Sequence, residues 1–421
     1  MGSKRNNATP AAKPLSQATS AKSRDAPILS RLGVYGLHHI EPVILGALIS
    51  GEPLLLIGPH GTGKSYLLNR LCQALGLVSR HYNASLISFD DLVGYPLPNE
   101  RRELEYVQTP ASIWGAQAVF IDEISRCRPE LQNKLFPIIY ERRVQGILLE
   151  SLEYRWAAMN PPASDDSYEV DAGANYLGSE PLDPALADRF ALIVPLPEFK
   201  DYNEIDQLKV ILTADCEIPD NAAAELRRIV ASGRSIAKGL REAQGPVLAE
   251  YVREVVLQLG QGEVKCSPRR AATLLRNITA VHAARLVTGG SPRLQDSAWL
   301  AVRYGLPGAA AGEKLNEMRV LAAHQEAWSH VSLPKGSPLR LVLKELDPVR
   351  RLSLASRLDD LSRSDFSVVV ADVLAQLRPG ARHAVAALLF GCFRISAGQV
   401  WRAVGCATRF RRSIAGSQEQ A

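Results

Sequence analysis

The chain has 421 residues, which at roughly 150 residues per domain sets a prior of about three domains. Its 46% hydrophobic and 22% charged residues are ordinary for a globular protein and exclude wholesale disorder, collagen-like repeats and a small disulfide-stapled scaffold. A net charge of +5 is small for this length and does not imply a chain-wide grip on nucleic acid; the excess sits at the two ends. Residues 1–30 carry five Lys and Arg against Asp25, and residues 378–412 carry seven arginines and no acid. Both read as solvated basic segments, with contact to phosphate or acidic partners as the alternative. The longest apolar runs, Pro53–Ile57 and Ala384–Phe393, fall short of the ~20 residues a membrane helix needs. Six scattered cysteines without a CxxC pair, and a first segment without an apolar stretch, fit a reducing cytoplasm.

In chain order, residues 1–30 are polar and broken by Pro10 and Pro14, and read as a disordered arm. Glu41-Pro42 starts a helix that places Val43, Ile44, Ala47 and Leu48 on one face. Pro53–Ile57 reads as a buried parallel strand, and Ser65–Leu75 returns to helical spacing. Further buried strands are expected at Ala118–Ile121, Tyr154–Met159 and Ala191–Pro195, with helical stretches between them. Alternation of this kind predicts an α/β layer around a parallel sheet. Residues 200–330 read as helical, with helix starts at Pro219-Asp220 and Ser267-Pro268. Residues 331–340 read as a linker, and 341–415 as a third, helical block with a stripe of Val368, Val369, Val373 and Leu374.

Two motifs carry the chemistry. Gly58, Pro59, His60, Gly61, Thr62, Gly63, Lys64 and Ser65 fit G-x-x-x-x-G-K-[ST], between an apolar strand and an amphipathic helix. Such a loop turns backbone N–H groups toward phosphates at the positive end of a helix, so a nucleoside triphosphate site is expected. Lys64 should reach the β- and γ-phosphates, and Ser65 should ligate Mg²⁺. About 60 residues on, Ala118–Ile121 ends in Asp122 and Glu123. Asp122 is expected to serve the Mg²⁺ shell, and Glu123 to orient or activate the attacking water.

The succession Ile121, Asp122, Glu123, Ile124, Ser125, Arg126, followed by Glu141 to Val144, resembles the Walker B region of MoxR-type AAA+ ATPases. Ala158, Met159, Asn160 and Pro161 resemble that family's sensor 1, Asp188-Arg189-Phe190 its DRF segment, and Ser267-Pro268-Arg269 its sensor 2. These motifs cover residues 33–330 in order. The resemblance implies an AAA+ P-loop core with a parallel sheet at 31–200, an α-helical lid at 201–330 and an additional helical C-terminal extension at 331–421. It implies ATP and Mg²⁺, and a catalytic set of Glu123, Asn160, Arg189 and Arg269. Lys64, Ser65, Asp122, Glu123 and Asn160 would share one site with Arg269 from the lid, while Arg189 would act on the next subunit of a hexameric ring. Family members remodel or activate protein clients, often with a partner bearing a von Willebrand factor A domain.

Each residue also has a plainer reading. Asn160 fits an Asn-Pro turn, and Arg189 an internal salt bridge. Arg269 in the first turn of a helix opposes the dipole, which an anionic neighbour would offset, and bound phosphate fits; Arg270 is the other candidate, and the plainer reading is that both are solvated. Glu141–Glu153 reads as a hairpin with Gln145-Gly146 at its tip, similar to the family's pre-sensor hairpin. Tyr95 in Gly94-Tyr95-Pro96 reads as a pore-loop residue or a packed one. His60 departs from the proline common in the family, and 163–181 is long and acidic. A nucleic-acid motor or defence effector is the alternative function. A switch that hydrolyses little is disfavoured by the presence of Glu123.

Overall fold

A computed structural model describes residues 26–98, 100–102, 104–162, 179–212, 216–313 and 315–393. The basic arm up to residue 25, most of the acidic stretch 163–181 and the basic residues from 394 onward lie outside them. Five strands form one parallel sheet: β1 (Leu54–Ile57), β2 (Ser79–Asn83), β5 (Ala118–Asp122), β8 (Tyr154–Met159) and β9 (Leu192–Pro195), in the order β2-β5-β8-β1-β9. The remaining strands pair as two small hairpins, β3 (Tyr95–Pro98) with β4 (Leu104–Val107), and β6 (Arg143–Val144) with β7 (Ile147–Leu148).

The continuous apolar runs follow from burial on both faces. In β1, Leu54 and Leu56 face one hydrophobic core with Phe120, Trp156 and Val194, while Leu55 and Ile57 face a second with Val119, Ile121 and Met159. Strand β2 is the one that hydropathy does not find. It is polar, lies at the sheet edge and pairs only with β5. Helix α1 (Glu41–Ser50) is buried around its whole circumference rather than on one face. It packs against a later helix, α6, Pro268–Val287, so closely that a Cβ on Gly46 would come within 2.8 Å of Val281.

After β9, helices take over, as the loss of strand signals predicts. Among the helices between α1 and α6 are α2 (Lys64–Leu75), α3 (Pro129–Phe136), α4 (Pro184–Ala187) and the long α5 (Asp220–Gln261). The described residues pack as two compact units, one within 26–248 and 259–321, the other within 249–258 and 322–393. Residues 331–340 lie inside the second unit, where Leu339 and Arg340 are buried. Its apolar core gathers Val342, Ala355, Val369 and Val373. Of the expected stripe, Val369 and Val373 are buried, whereas Leu374 is half-buried and Val368 is 55% exposed. A second, polar core in this unit sets His330 between Glu254 and Glu326, with Arg351 bridging Glu326 and Asp372. Among the described residues, no helix is long and apolar enough to cross a membrane.

Candidate functional site

Three neighbouring strands deliver the site. The order β5-β8-β1 places their carboxyl ends side by side, which is where open parallel sheets present ligand-binding loops. Residues Gly58–Gly63 leave the end of β1, Asp122 and Glu123 end β5, and Asn160 follows β8. The Gly58 N–H donates to the Met159 carbonyl at 3.1 Å and ties the loop to the next strand. Gly61 and Gly63 both have φ near +79° with open space where a Cβ would stand, so the loop needs glycine for its backbone and leaves a cradle. The axis of α2 begins at Gly63, so its free N–H groups face that cradle.

Lys64 is buried and folded back over the loop. Its Nζ donates to the carbonyls of Gly58 (2.6 Å) and Pro59 (2.9 Å) and to Asn160 Oδ1 (3.3 Å). Burial holds this ammonium below its ordinary pKa, partly countered by Asp122 and Glu123. Ser65 Oγ donates to Asp122 Oδ2 at 3.0 Å. Burial pushes the Asp122 carboxyl up, but hydrogen bonds from His81, Ser65 and the Glu123 N–H more than offset it and leave it below the usual range. Ser65 and Asp122 are hard oxygen donors of the kind that hold Mg²⁺ alongside substrate phosphates. Among the described residues no group of three or more acids, histidines or cysteines could hold a metal without such help.

Glu123 has a left-handed backbone, φ 53°, an unusual conformation for a non-glycine residue. It is held by Ser85 Oγ at 3.4 Å and by Arg126 Nη1 at 3.7 Å from the same Oε2. The Asn160 side-chain nitrogen lies 3.1 Å from His60 Nε2, and its backbone carbonyl accepts from Ser179 Oγ at 3.0 Å. Loop, Asp122, Glu123, Met159 and Asn160 enclose a cavity of about 310 Å³. His81, Ser85, Arg126 and Ser179 were not singled out from the sequence. His81 sits on the polar edge strand, stacks on Phe120 and reaches Asp122 at 3.5 Å.

Arg189 and Arg269 do not line this cavity. The turn Asp183–Phe190 gathers them elsewhere, after the short helix α4, whose N-terminus Asp183 caps through the N–H groups of Ala185 and Leu186. Arg189 lies over the Phe136 ring at 4.4 Å and donates to the Ala185 carbonyl at 2.7 Å. Arg269 lies over Tyr140 at 4.7 Å and pairs with Asp188 at 3.3 Å. Burial and the neighbouring Arg269 both hold the Arg189 guanidinium below its ordinary pKa. Arg269 is thus paired with Asp188 of the same chain.

Arg270 is a different object. It is fully buried, bonded to Asp188 and to the carbonyls of Ala187, Phe190, Ala191 and Gly305. It clamps the Asp188–Phe190 turn onto α6. Arg270→Met should cost about 3–5 kcal/mol of stability by leaving buried backbone carbonyls, those of Phe190 and Gly305 among them, without their donor, against ~1 kcal/mol or less for Arg269→Met at the partly exposed pair. Urea unfolding of the two variants checks this; equal losses would contradict the division of labour.

Residues 53–190 match the AAA domain, dynein-related subfamily. A crystal structure of a Cytophaga hutchinsonii protein described as an ATPase aligns with 68% of this chain and 86% of its own at 18% identity, with a TM-score of 0.45. The chain carries an AAA domain and is an ATPase. Its parallel sheet with flanking helices, followed by a helical region, is the AAA α/β core with helical domain.

Proposed function

We propose that this AAA ATPase is of the MoxR type and works as a hexameric ring that remodels or activates a protein client in the cytoplasm, together with a partner bearing a von Willebrand factor A domain. Residues 31–200 form the nucleotide core, 201–330 the lid and 331–421 an extension. The observation that carries the reading is the separation of charges. Lys64, Ser65, Asp122, Glu123 and Asn160 surround one cavity, while Arg189 and Arg269 stand together around Asp188, outside it. A γ-phosphate bound by the first group would gain the Arg189 guanidinium from a neighbouring chain, the side to which both arginines are offered. The two hairpins support the MoxR assignment. One interrupts the helical segment after β2, the other precedes β8, and Tyr106 of the first bonds Gln145 at the tip of the second. They leave Tyr95, Leu97, Val107, Ile147 and Leu148 exposed as a client-facing surface.

In this site the loop N–H groups and Lys64 bind the ATP phosphates, and Lys64 exchanges its carbonyl partners for them. Ser65 and Asp122 hold Mg²⁺, which offsets charge on the phosphate oxygens. Glu123 accepts the proton of the attacking water, and Asn160 positions that water or the γ-phosphate. The arginine-rich, acid-free stretch 378–412 favours the second reading, a nucleic-acid motor or defence effector. Turnover measured with and without single-stranded and duplex DNA, from low to high salt, separates them. A remodeller turns over equally with and without DNA at each salt concentration; stimulation by DNA that fades as salt rises would replace it with the nucleic-acid reading.

A further inference from the structure

At the amino ends of the sheet strands lies a second cavity, of about 510 Å³, that the nucleotide chemistry does not use. Its walls carry four guanidinium groups and two carboxylates: Arg142, Arg155, Arg234 and Arg276 with Glu52 and Glu153. They come from the base of the β6–β7 hairpin, from β8, and from the helices α5 and α6. Both carboxylates are already committed, Glu153 to Arg234 and Glu52 to Arg276. That leaves two positive charges without a carboxylate.

Arg155 is only 7% exposed and is held by backbone carbonyls alone. Its Nε donates to Ile139 at 3.0 Å and its Nη1 to Gly51 at 2.7 Å and to Glu153. Its Nη2 has no partner among the described residues. Burial pushes its pKa down to about 10; Glu52 and Glu153 counter part of that shift, and the nearby Arg142 adds to it. Arg142 is exposed, and its side chain likewise has no hydrogen bond or ion pair among the described residues. Two like charges converge on a concave site, one of them desolvated. That arrangement is unfavourable until an anion enters, and forked guanidinium groups match phosphate oxygens.

We infer that this cavity is a binding site for a small polyphosphate-bearing anion, distinct from the nucleotide loop, held by Arg142 and Arg155 and completed by Arg234 and Arg276. A volume of this size suits a small ligand. The enclosing walls favour a compact anion over the backbone of a nucleic acid. An occupant would touch the α/β core and both α5 and α6, so its binding would fasten those helices to the sheet.

The test uses the full chain carrying Lys64→Ala, which removes the loop's own hold on phosphate, titrated calorimetrically with inorganic pyrophosphate without Mg²⁺ at constant ionic strength. Pyrophosphate should bind, and adding Arg142→Asn should weaken it at least tenfold. Asn tolerates the left-handed backbone that residue 142 adopts, φ 55°. Arg142→Lys should weaken it less. Arg276→Gln, as a second variant, should weaken it too. Absence of binding, or affinity unchanged by Arg142→Asn, would overturn the site. So would an Arg142-dependent grip on a single-stranded oligonucleotide with none on pyrophosphate, which would assign these arginines to a nucleic-acid backbone.

Discussion

Lys64→Ala is expected to weaken ATP binding by about 100-fold or more. Each charge-assisted hydrogen bond contributes roughly 1.5–3 kcal/mol, and Nζ is the cation that the loop itself supplies to the phosphates. The structure adds a reason that the motif does not contain. In the absence of phosphate, Nζ rests on the Gly58 and Pro59 carbonyls and on Asn160 Oδ1. The substitution therefore also frees Asn160 from one of its two side-chain partners, the other being His60. Fluorescent-nucleotide titration reads the affinity, and an unchanged value would remove the loop from the site.

Glu123→Gln should do the opposite: ATP binds with little change, and turnover falls by about 10²–10⁴-fold, the usual worth of a general base. The amide is isosteric and keeps an oxygen for Ser85 and Arg126, so the strained φ of 53° need not relax. Single-turnover hydrolysis of bound ATP separates the two effects. Wild-type turnover would assign the water to another residue. Reduced affinity alone would mean that Glu123 serves binding rather than chemistry.

The parts of the site carried by backbone were legible in the sequence. A run of apolar residues buried on both sheet faces announces β1, β5, β8 and β9, and the glycines at 61 and 63 announce a loop that only they can form. Gln145 and Gly146, both at positive φ, mark the tip of the β6–β7 hairpin as the sequence suggests. The remainder depended on partners far away in the chain. Strand β2 is held to the sheet by backbone pairing with β5, not by apolar side chains, so its polar residues hid it and His81 with it. Strand β3 contains Pro96 and Pro98, which argue against a strand, yet it survives as half of an isolated pair. Its entry requires Gly94, where a Cβ would collide with the Val107 carbonyl oxygen. Ser267-Pro268-Arg269 showed where α6 starts, but not which arginine faces what. Only the fold shows that Arg270 is sealed inside and Arg269 is turned to Asp188, 81 residues away.

The claim that each catalytic site is shared between chains rests on that last arrangement, and complementation tests it most directly. ATP turnover is measured against protein concentration for the wild type, for Arg189→Ala, for Glu123→Gln, and for an equal mixture of the two variants. An arginine supplied from a neighbour is worth roughly 10³–10⁵ in turnover, so each variant alone should be nearly inactive. The mixture should recover activity, because an Arg189→Ala chain keeps Glu123 and receives Arg189 from its Glu123→Gln neighbour. Wild-type specific activity should rise with concentration. Full activity of Arg189→Ala, at a rate independent of concentration, would contradict the shared site and leave a self-contained monomeric ATPase.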